Sequence, residues 1–306
     1  MLSNKAIKRY KHLKKKFKKQ NIDVFRLYDW DIPEIRAAVD WYKGHIVIAE
    51  YMRKQSDPIW LPIMAKALSE KFGIDESLVH MKERRVGFLD GKRYEKLDDS
   101  DEKLVVSERD LKFKVNLNDY VDTGLFSDHR DTRQMVRELV KDKDFLNLYC
   151  YTGSFTCYAA KGGAKSTVSV DRSLTAISWV KENLELNQIP EDNHTLYRVP
   201  TYEFLDKAKK KGQKFDIAVV DPPSFSTSKD SRDGFDISKD HAELLLKVIA
   251  LMRKGGLIFF STNHQDFDPR MSTLRVKDFD EITSKTIPED YINKRKKIHR
   301  CWKIQV

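Results

Sequence analysis

The chain has 306 residues, 40% of them hydrophobic, which is enough for one large globular domain or two of ordinary size. No stretch approaches the roughly 20 consecutive apolar residues of a membrane span, and the lysine-rich start lacks the apolar run of a secretory signal. We therefore expect a cytoplasmic protein without a membrane partner. Its three cysteines and eight histidines show neither Cys-x-x-Cys nor His-Glu-x-x-His spacing, so neither a disulfide framework nor a bound metal is predicted.

Most of the net charge of +10 lies in residues 1–20, which hold nine Lys or Arg and no acid. Four apolar side chains in this segment recur at helical spacing: Ile7, Tyr10, Leu13 and Phe17. The pattern predicts a basic amphipathic helix that docks its apolar stripe on the protein and offers its cations to phosphates. A solvated tail and a helix lying on a membrane surface are the alternatives.

Residues 21–117 predict a small α+β module. Its β-like runs, separated by turn residues, are Phe25–Tyr28, His45–Tyr51, Leu78–Lys82, Leu104–Val106 and Leu111–Leu117. One helical stretch follows Pro58, and the charged segment from Arg84 to Ser100 is typical of an exposed loop or hairpin.

Residues 118–306 alternate between strand and helix patterns. The predicted strands are Phe145–Tyr149, Thr167–Val170, Thr195–Val199, Phe215–Val220, Gly256–Ser261, Phe279–Thr283 and Ile298–Ile304. The predicted helices are Arg130–Lys141, Phe155–Lys161, Leu174–Asn187, Tyr202–Lys210 and Lys239–Leu251. This alternation predicts an α/β fold with a mostly parallel sheet of seven strands, covered on both faces, whose ligands bind beyond the carboxyl ends of the strands.

A tight turn from Asn147 to Thr156 follows the first of these strands. Gly153 in this turn would let a backbone approach a ligand closely, and the helix behind it offers free N–H groups to an anion. The three spaced glycines of a dinucleotide fingerprint are absent, which disfavours a nicotinamide cofactor. A turn without a ligand is the alternative.

The second strand ends in Asp171, where the ribose of a bound nucleoside would lie. The two carboxylate oxygens of Asp171 can accept both ribose hydroxyls. Asp171 could instead cap the following helix, a role that Ser173 fits equally well.

The fourth strand ends in the most specific string of the chain, Asp221-Pro222-Pro223-Ser224-Phe225. Two consecutive prolines neither continue a strand ladder nor enter a helix interior, so they predict a rigid, extended loop at the strand end. The loop would present the Asp221 carboxylate and backbone carbonyls as acceptors, with Phe225 as a face on which a base can stack.

These three strings resemble the class I S-adenosylmethionine-dependent RNA methyltransferases. The closer resemblance is to the C-terminal half of the bifunctional bacterial large-subunit ribosomal RNA methyltransferases, the half that forms 7-methylguanosine. The resemblance extends to further segments of the chain: Phe25–Asp29, Asp31–Glu34, Asp122–Arg130, Arg295 and Ile298–Trp302. The lysine-rich opening is similar to the segment joining the two halves of those enzymes, so the resemblance covers nearly the whole chain, which looks like a free-standing version of that half.

The resemblance implies a Rossmann-like methyltransferase domain over residues 118–306, preceded by the α+β module and the basic helix. It implies S-adenosylmethionine as cofactor and large-subunit ribosomal RNA, naked or in an assembly intermediate, as partner. Residues implied to contact the cofactor are Thr123, Phe126, Asp128, Arg130, Tyr149, Cys150, Tyr151, Thr152, Gly153, Ser154, Phe155, Asp171, Arg172, Ser173, Thr201, Asp221 and Pro222. Residues expected to contact RNA are Lys8, Arg9, Lys15, Lys16, Lys229 and Arg232.

One position departs from the family pattern. Where the family has an acidic residue after the third strand to hold the adenine amine, this chain has Pro200. The adenine contact must then come from elsewhere, such as Thr201 or the backbone.

The type of methyl acceptor follows from the chemistry of the candidate residues. Methylating a pyrimidine carbon requires a covalent cysteine nucleophile, which in related enzymes follows the fifth strand, and Ile258–His264 contains no cysteine. Guanine N7 already carries a nucleophilic lone pair, so its methylation needs positioning rather than a strong base. The residues expected to position the base are Asp221, Pro222, Pro223 and Phe225. Transfer to an exocyclic amine (adenine N6 or guanine N2) and a non-catalytic RNA-binding or ribosome-assembly module are the alternatives.

Overall fold

The structure is a computed structural model that describes residues 1–85, 98–226, 234–293 and 295–306. The chain forms two compact units, residues 1–127 with 289–293, and residues 128–288 with 294–306. The division therefore falls after residue 127 rather than after residue 117, and a short segment near the C terminus returns to the first unit. Among the described residues, no helix combines the length and the apolar character that a bilayer crossing requires.

The first unit combines a small sheet with two helices. Its elements are α1 Leu2–Lys19, β1 Val24–Asp29, β2 Ala37–Tyr42, β3 His45–Met52, α2 Trp60–Phe72, β4 Val79–Arg85, β5 Leu104–Glu108 and β6 Leu111–Val115. Over the described part of this unit, one sheet has the order β1-β2-β3-β4, with β3 and β4 parallel and the other pairs antiparallel, while β5 and β6 form a hairpin. The sequence did not indicate β2, because alanines and an aspartate have weak strand propensity and pairing with β1 and β3 decides the conformation. The predicted loop after Arg84 lies mostly outside the described residues.

Helix α1 is packed into the first unit rather than detached as a tail. Its buried side chains are Leu2, Ala6, Leu13 and Phe17. Tyr10 packs partly against this cluster and lies 4.5 Å from the ring of Trp41, centroid to centroid. The apolar stripe differs from the predicted one at Ile7, which is only half-buried. The lysines of α1 lie mainly on its exposed side.

The second unit has the expected alternating order. Its elements are α3 Arg130–Leu139, β7 Asp144–Leu148, α4 Ser154–Lys161, β8 Ser166–Asp171, α5 Leu174–Leu186, β9 His194–Arg198, α6 Thr201–Lys210, β10 Phe215–Val220, β11 Phe225–Ser226, β12 Phe235–Asp236, α7 Ile237–Ile249, β13 Met252–Thr262, β14 Asp278–Glu281, α8 Thr283–Thr286 and β15 Arg300–Gln305. The main sheet of the described residues has seven strands in the order β14-β15-β13-β10-β7-β8-β9. Only β15 runs against the other strands of this sheet. This confirms the predicted mostly parallel, Rossmann-like sheet.

Both faces of the central strands are apolar, which is why these strands read as continuous hydrophobic runs. In β10, Ala218 and Val220 join the core cluster beneath α6 and α7, whereas Ile217 and Val219 join the cluster beneath α3 and α4. Successive side chains of a strand point to opposite faces, so a buried strand needs apolar residues at both alternating sets of positions. Helices therefore cover the sheet on both sides.

Candidate active site

The strand order of the second unit changes direction at β7. This strand pairs with β8 on one side and β10 on the other, so the connections that leave β7 and β10 cross to opposite sides of the sheet. Open α/β sheets bind ligands at such a point, beyond the carboxyl ends of the strands. We call the loops there the carboxyl edge; they comprise residues 149–153, 171–173, 199–201, 221–225 and 261–264.

The turn after β7 has an unusual backbone. Tyr149 and Tyr151 both have positive φ, at 56° and 49°, a region that non-glycine residues rarely occupy. Gly153 has a φ of 77°, and a Cβ atom there would lie 2.7 Å from Cγ1 of Val180. Glycine is thus required by the backbone conformation and by close packing on α5, a reason that the sequence did not show. The N–H of Gly153 donates to the carbonyl of Cys150 at 2.9 Å, which closes the turn ahead of α4.

Asp171 ties two loops of the carboxyl edge together. Its carboxylate accepts hydrogen bonds from the backbone N–H groups of Tyr151 at 3.1 Å and Ser173 at 2.9 Å. Ser173, not Asp171, caps α5 by accepting from the N–H of Ala176. Burial raises the pKa of the Asp171 carboxyl, and the backbone hydrogen bonds act against that rise. Each carboxylate oxygen has a second lone pair, so these bonds leave acceptor capacity for a ligand.

Thr201 joins the loop after β9 to the loop after β7. Burial raises the pKa of the Tyr149 phenol in the turn after β7, and the nearby Thr201 side chain acts against that rise. Thr201 is buried and is the first residue of α6, which begins behind Pro200. The adenine contact expected of Thr201 stays a prediction.

The Asp221 loop is anchored to the neighbouring strand end. The hydroxyl of Ser261 donates to the Asp221 carboxylate at 2.6 Å, and the hydroxyl of Ser224 donates to the side-chain oxygen of Asn263 at 2.6 Å. Pro222 is buried and Pro223 half-buried. Because proline has no N–H, the polar backbone groups of these two residues are carbonyl acceptors only.

Phe225 is exposed at the end of this loop. The side chain is 44% accessible, and its ring centroid lies 5.9 Å from that of His264. Residues Phe225–Ser226 pair with Phe235–Asp236, so the backbone at Phe225 is held in strand conformation. An exposed aromatic ring on an anchored backbone is a suitable face for stacking.

A buried pair of histidines lies beside Asp221. The rings of His129 and His299 stack at 4.1 Å with an angle of 11° between planes. His299 bonds Asp128 through Nδ1 at 2.9 Å and Thr286 through Nε2 at 3.0 Å. Nε2 of His129 lies 3.8 Å from a carboxylate oxygen of Asp221. The ligand atoms of Asp128, His129 and His299 fall within 4.8 Å of one another, but both nitrogens of His299 are already hydrogen-bonded, so metal binding there would break these bonds.

The pKa of His129 is lowered to about 4, first by burial and then by His299, while the nearby carboxylates of Asp128 and Asp221 act in the opposite direction. His129 is therefore neutral near pH 7. Sequence reasoning did not single out His129, His299, Ser261 or Asn263, because nothing in their spacing showed that the fold brings them to Asp221.

The other predicted cofactor residues are distributed over both units. Thr123 and Phe126 belong to the first unit, where the Thr123 hydroxyl bonds the phenol of Tyr42 at 2.8 Å. Asp128 and Arg130 belong to the second unit, and Arg130 is fully buried.

The remaining predicted residues lie in the loops around β7 and β8. Thr152 and Phe155 are buried, the hydroxyl of Ser154 accepts from Arg133 at 3.4 Å, and Arg172 is exposed. The carbonyl of Thr152 accepts from the Asn183 side chain at 2.9 Å.

The predicted RNA-contacting cations fall into three groups. Lys8 and Lys15 are exposed on α1. Arg9 donates to the carbonyl of Asp290, and Lys16 forms an ion pair with Glu289 at 2.7 Å, so both are engaged within the first unit. Lys229 and Arg232 lie outside the described residues.

None of the three cysteines is suited to act as a nucleophile. Cys150, Cys157 and Cys301 are all buried, and burial raises the pKa of each thiol. Since the thiolate is the reactive form, these environments suppress it. Cys301 pairs with Ser261 across β15 and β13, which places a cysteine near Asp221 but in its unreactive form.

Comparison with known proteins agrees with this architecture. Residues 34–282 match the family model of S-adenosylmethionine-dependent methyltransferases. The chain is 41% identical to the ribosomal RNA large subunit methyltransferase K of Neisseria meningitidis, over 99% of this chain and 86% of that protein. It is 39% identical to the methyltransferase K/L of Shewanella loihica, over 99% of this chain but 43% of that protein. The solved structure of SMU.776 complexed with SAH has a TM-score of 0.78 at 23% identity, covering 99% of this chain and 82% of that one.

A Rossmann-like sheet with a ligand edge at the β7 and β10 ends, together with this family match, defines an S-adenosylmethionine-dependent methyltransferase. The chain belongs to that family, and S-adenosylmethionine is its cofactor.

The lowered pKa of His129 predicts an acid-sensitive fold. In the unfolded chain this imidazole binds a proton below its ordinary pKa of 6.5, whereas in the folded chain it stays neutral down to about pH 4. The free energy of unfolding should thus fall between pH 6.5 and pH 4, by up to about 3 kcal/mol from this group. Urea denaturation of His129→Gln over this range should show a smaller loss than the unchanged protein. The same change at the exposed His12 is the matched control, and parallel curves for His129→Gln and the unchanged protein would contradict the prediction.

Proposed function

We propose that this chain transfers a methyl group from S-adenosylmethionine to a guanine of large-subunit ribosomal RNA, at N7. The observation that supports RNA as the substrate is the match to large-subunit ribosomal RNA methyltransferases over 99% of the chain. The Asp221 loop supports a base as the acceptor, since it combines anchored oxygen acceptors with an exposed aromatic ring.

The donor set at the carboxyl edge fits the proposed cofactor. Asp171 would accept the ribose hydroxyls with the lone pairs left by its backbone bonds. The free N–H groups at the start of α4 would face the carboxylate of the methionine moiety. The bound cofactor supplies an electrophilic methyl group on sulfur, and the task of the protein is to hold the acceptor atom in line with it.

Guanine N7 fits the chemistry available at this edge. Its lone pair needs no proton removal before attack, so positioning can supply much of the rate enhancement, up to roughly 7–11 kcal/mol in favourable cases. Asp221 and the carbonyls of Pro222 and Pro223 would accept from the N1–H and N2 amine of guanine. Phe225 would stack on the base once it has left its helix or in a single-stranded loop. The buried thiols disfavour the covalent route to carbon methylation.

The cationic side of α1 would bind RNA phosphates. Lys8, Lys15 and Lys19 are exposed, while Arg9 and Lys16 are engaged with acceptors of their own unit. We therefore assign phosphate binding to the exposed lysines and a docking role to Arg9 and Lys16, which narrows the set expected from sequence. Lys229 and Arg232 remain proposed RNA contacts.

The site of methylation is tested by product analysis. Purified protein is incubated with methyl-labelled S-adenosylmethionine and unmodified large-subunit ribosomal RNA, and the RNA is digested to nucleosides. The label should appear in 7-methylguanosine. Label in N6-methyladenosine or N2-methylguanosine would establish exocyclic amine transfer instead, and cofactor binding without any label transfer would favour a non-catalytic RNA-binding module.

Substitutions at Asp171 and Phe225 should affect the use of different ligands, the cofactor and the RNA respectively. Asp171→Asn should weaken S-adenosylmethionine binding by about 1.5–3 kcal/mol in calorimetry, the scale of a hydrogen bond to a charged group. Phe225→Ala should leave that affinity unchanged but reduce kcat/KM on RNA, since stacking contributes roughly 1–3 kcal/mol per base. The matched control is Phe279→Ala, which removes an equally exposed ring from β14. The assignment of Phe225 fails if its variant methylates subsaturating RNA as fast as the control.

Exposed lysines of α1 should set the salt dependence of RNA binding. Replacing Lys8, Lys15 and Lys19 with Gln should flatten the slope of log affinity against log salt by roughly 0.7–0.9 for each lost phosphate contact. S-adenosylmethionine affinity should not change. Replacing Lys209, Lys210 and Lys211 at the exposed end of α6 removes the same charge from another surface. Equal slopes for both triple variants would show that α1 has only a structural role.

A further inference from the structure

The first unit contains a cleft of about 310 Å³ whose residues lie outside the carboxyl edge. The connection from β1 to β2, the end of β3, the loop that follows it and the first residue of α2 form its walls. Its volume is at the small end of ligand sites, a size that suits a single planar base.

Glu50 supplies a buried acceptor in the cleft wall. The residue is 8% accessible, and burial raises the pKa of its carboxyl, while the nearby Ser56 side chain acts against that rise. The hydroxyl of Ser56 in turn accepts from the N–H of Arg53 at 2.9 Å, which fixes the loop around the carboxylate. A carboxylate can accept hydrogen bonds from two parallel N–H donors. The nearby Ser56 leaves most of the acceptor capacity of Glu50 available to a ligand.

Two arginines supply donors in the same cleft. Arg53 is exposed at its rim. The guanidinium carbon of Arg36 lies 4.8 Å from the ring centroid of Trp30, which holds the side chain in place. The Nε atom of Arg36 is buried and, among the described residues, has no hydrogen-bond partner. A buried donor without a partner is costly, and a ligand acceptor would relieve that cost.

Aromatic rings complete the lining. Tyr51 and Trp60 both face the cleft. The ring of Tyr51 stacks on Trp30 at 5.8 Å with an angle of 19° between planes, so its orientation is fixed before a ligand arrives. Fixed aromatic rings beside polar groups are the usual means of holding an unstacked RNA base.

We propose that this cleft binds an unpaired guanine of the RNA substrate, as a second base site in addition to the one at the carboxyl edge. Guanine presents two N–H donors, N1 and N2, on one edge and two acceptors, O6 and N7, on another, which match Glu50 and the arginines respectively. Adenine, cytosine and uracil lack this combination of paired donors and paired acceptors. The inference rests on the proposed RNA substrate, and the cationic α1 of the same unit would supply the phosphate contacts.

The experiment measures binding of short single-stranded RNA to the full chain without cofactor, by fluorescence anisotropy. The probes are uridine hexamers that contain one central guanosine or one central inosine, which lacks the N2 amine. The unchanged protein should bind the guanosine probe about tenfold more tightly, the factor expected for one hydrogen bond to a charged group. Glu50→Gln keeps the shape of the side chain but should reduce this preference, and any part that remains belongs to the carboxyl edge. Glu70→Gln, on the exposed face of α2, is the matched control.

Two further readouts separate the possible outcomes. Arg53→Ala changes an exposed side chain, and it should weaken binding of the guanosine probe severalfold. Equal binding of the probes by the unchanged protein, or an undiminished preference in Glu50→Gln, overturns the proposal. A third outcome also overturns the proposal: an arginine-rich peptide binds at Glu50, whereas neither RNA probe occupies the cleft. The cleft would then be assigned to a protein partner. Because methyl transfer is not measured, failure of the proposed reaction would be seen separately, in the nucleoside analysis.

Discussion

The pairing of β7 with β8 on one side and with β10 on the other is the constraint on which the active site depends. Parallel strands place all their carboxyl ends at one edge, and the change in strand order keeps the connections from β7 and β10 on opposite faces. Residues distant in the chain, such as Tyr149, Asp171 and Asp221, therefore follow neighbouring strands at the same edge. Without this strand order, these three residues would not lie at the same edge of the sheet.

Hydrogen bonds between loops then hold the edge in one arrangement. Asp171 links the turn after β7 to the start of α5, and Ser261 links Asp221 to the end of β13. Deeper in the sheet, Asn147 donates to Thr156, whose hydroxyl also bonds Ser169. Such buried networks are favourable because every member is satisfied, and they fix the positions of the groups that face a ligand. The edge is thus organised before a cofactor or base binds.

The first unit contributes a different kind of surface. Helix α1 uses its apolar stripe to pack on the small sheet and exposes lysines on its other side. Arg9 and Lys16 reach acceptors of the segment at residues 289–293, so part of the positive charge is used for structure and part is available to a ligand. This division allows a strongly basic segment to be a folded element and still expose lysines, to which the proposed function assigns phosphate binding. Electrostatic attraction would bring RNA to the protein, and base-sized sites would then select among its nucleotides.

The sequence by itself determined the class of fold, because a buried parallel sheet requires apolar residues on both faces of its strands and helices between them. It also determined the location of the turn after β7 and of the Asp221 loop, since glycine permits a left-handed backbone and proline restricts the backbone. Asp171 was located by the end of the second apolar strand. Tertiary pairing decided three features: strand β2, the boundary after residue 127 and the apolar stripe of α1. Local propensities were too weak to indicate them. The tertiary structure alone decided that Gly153 packs on Val180 and that His129 and His299 stack beside Asp221. These contacts join residues far apart in the chain, and no local pattern records such a distance.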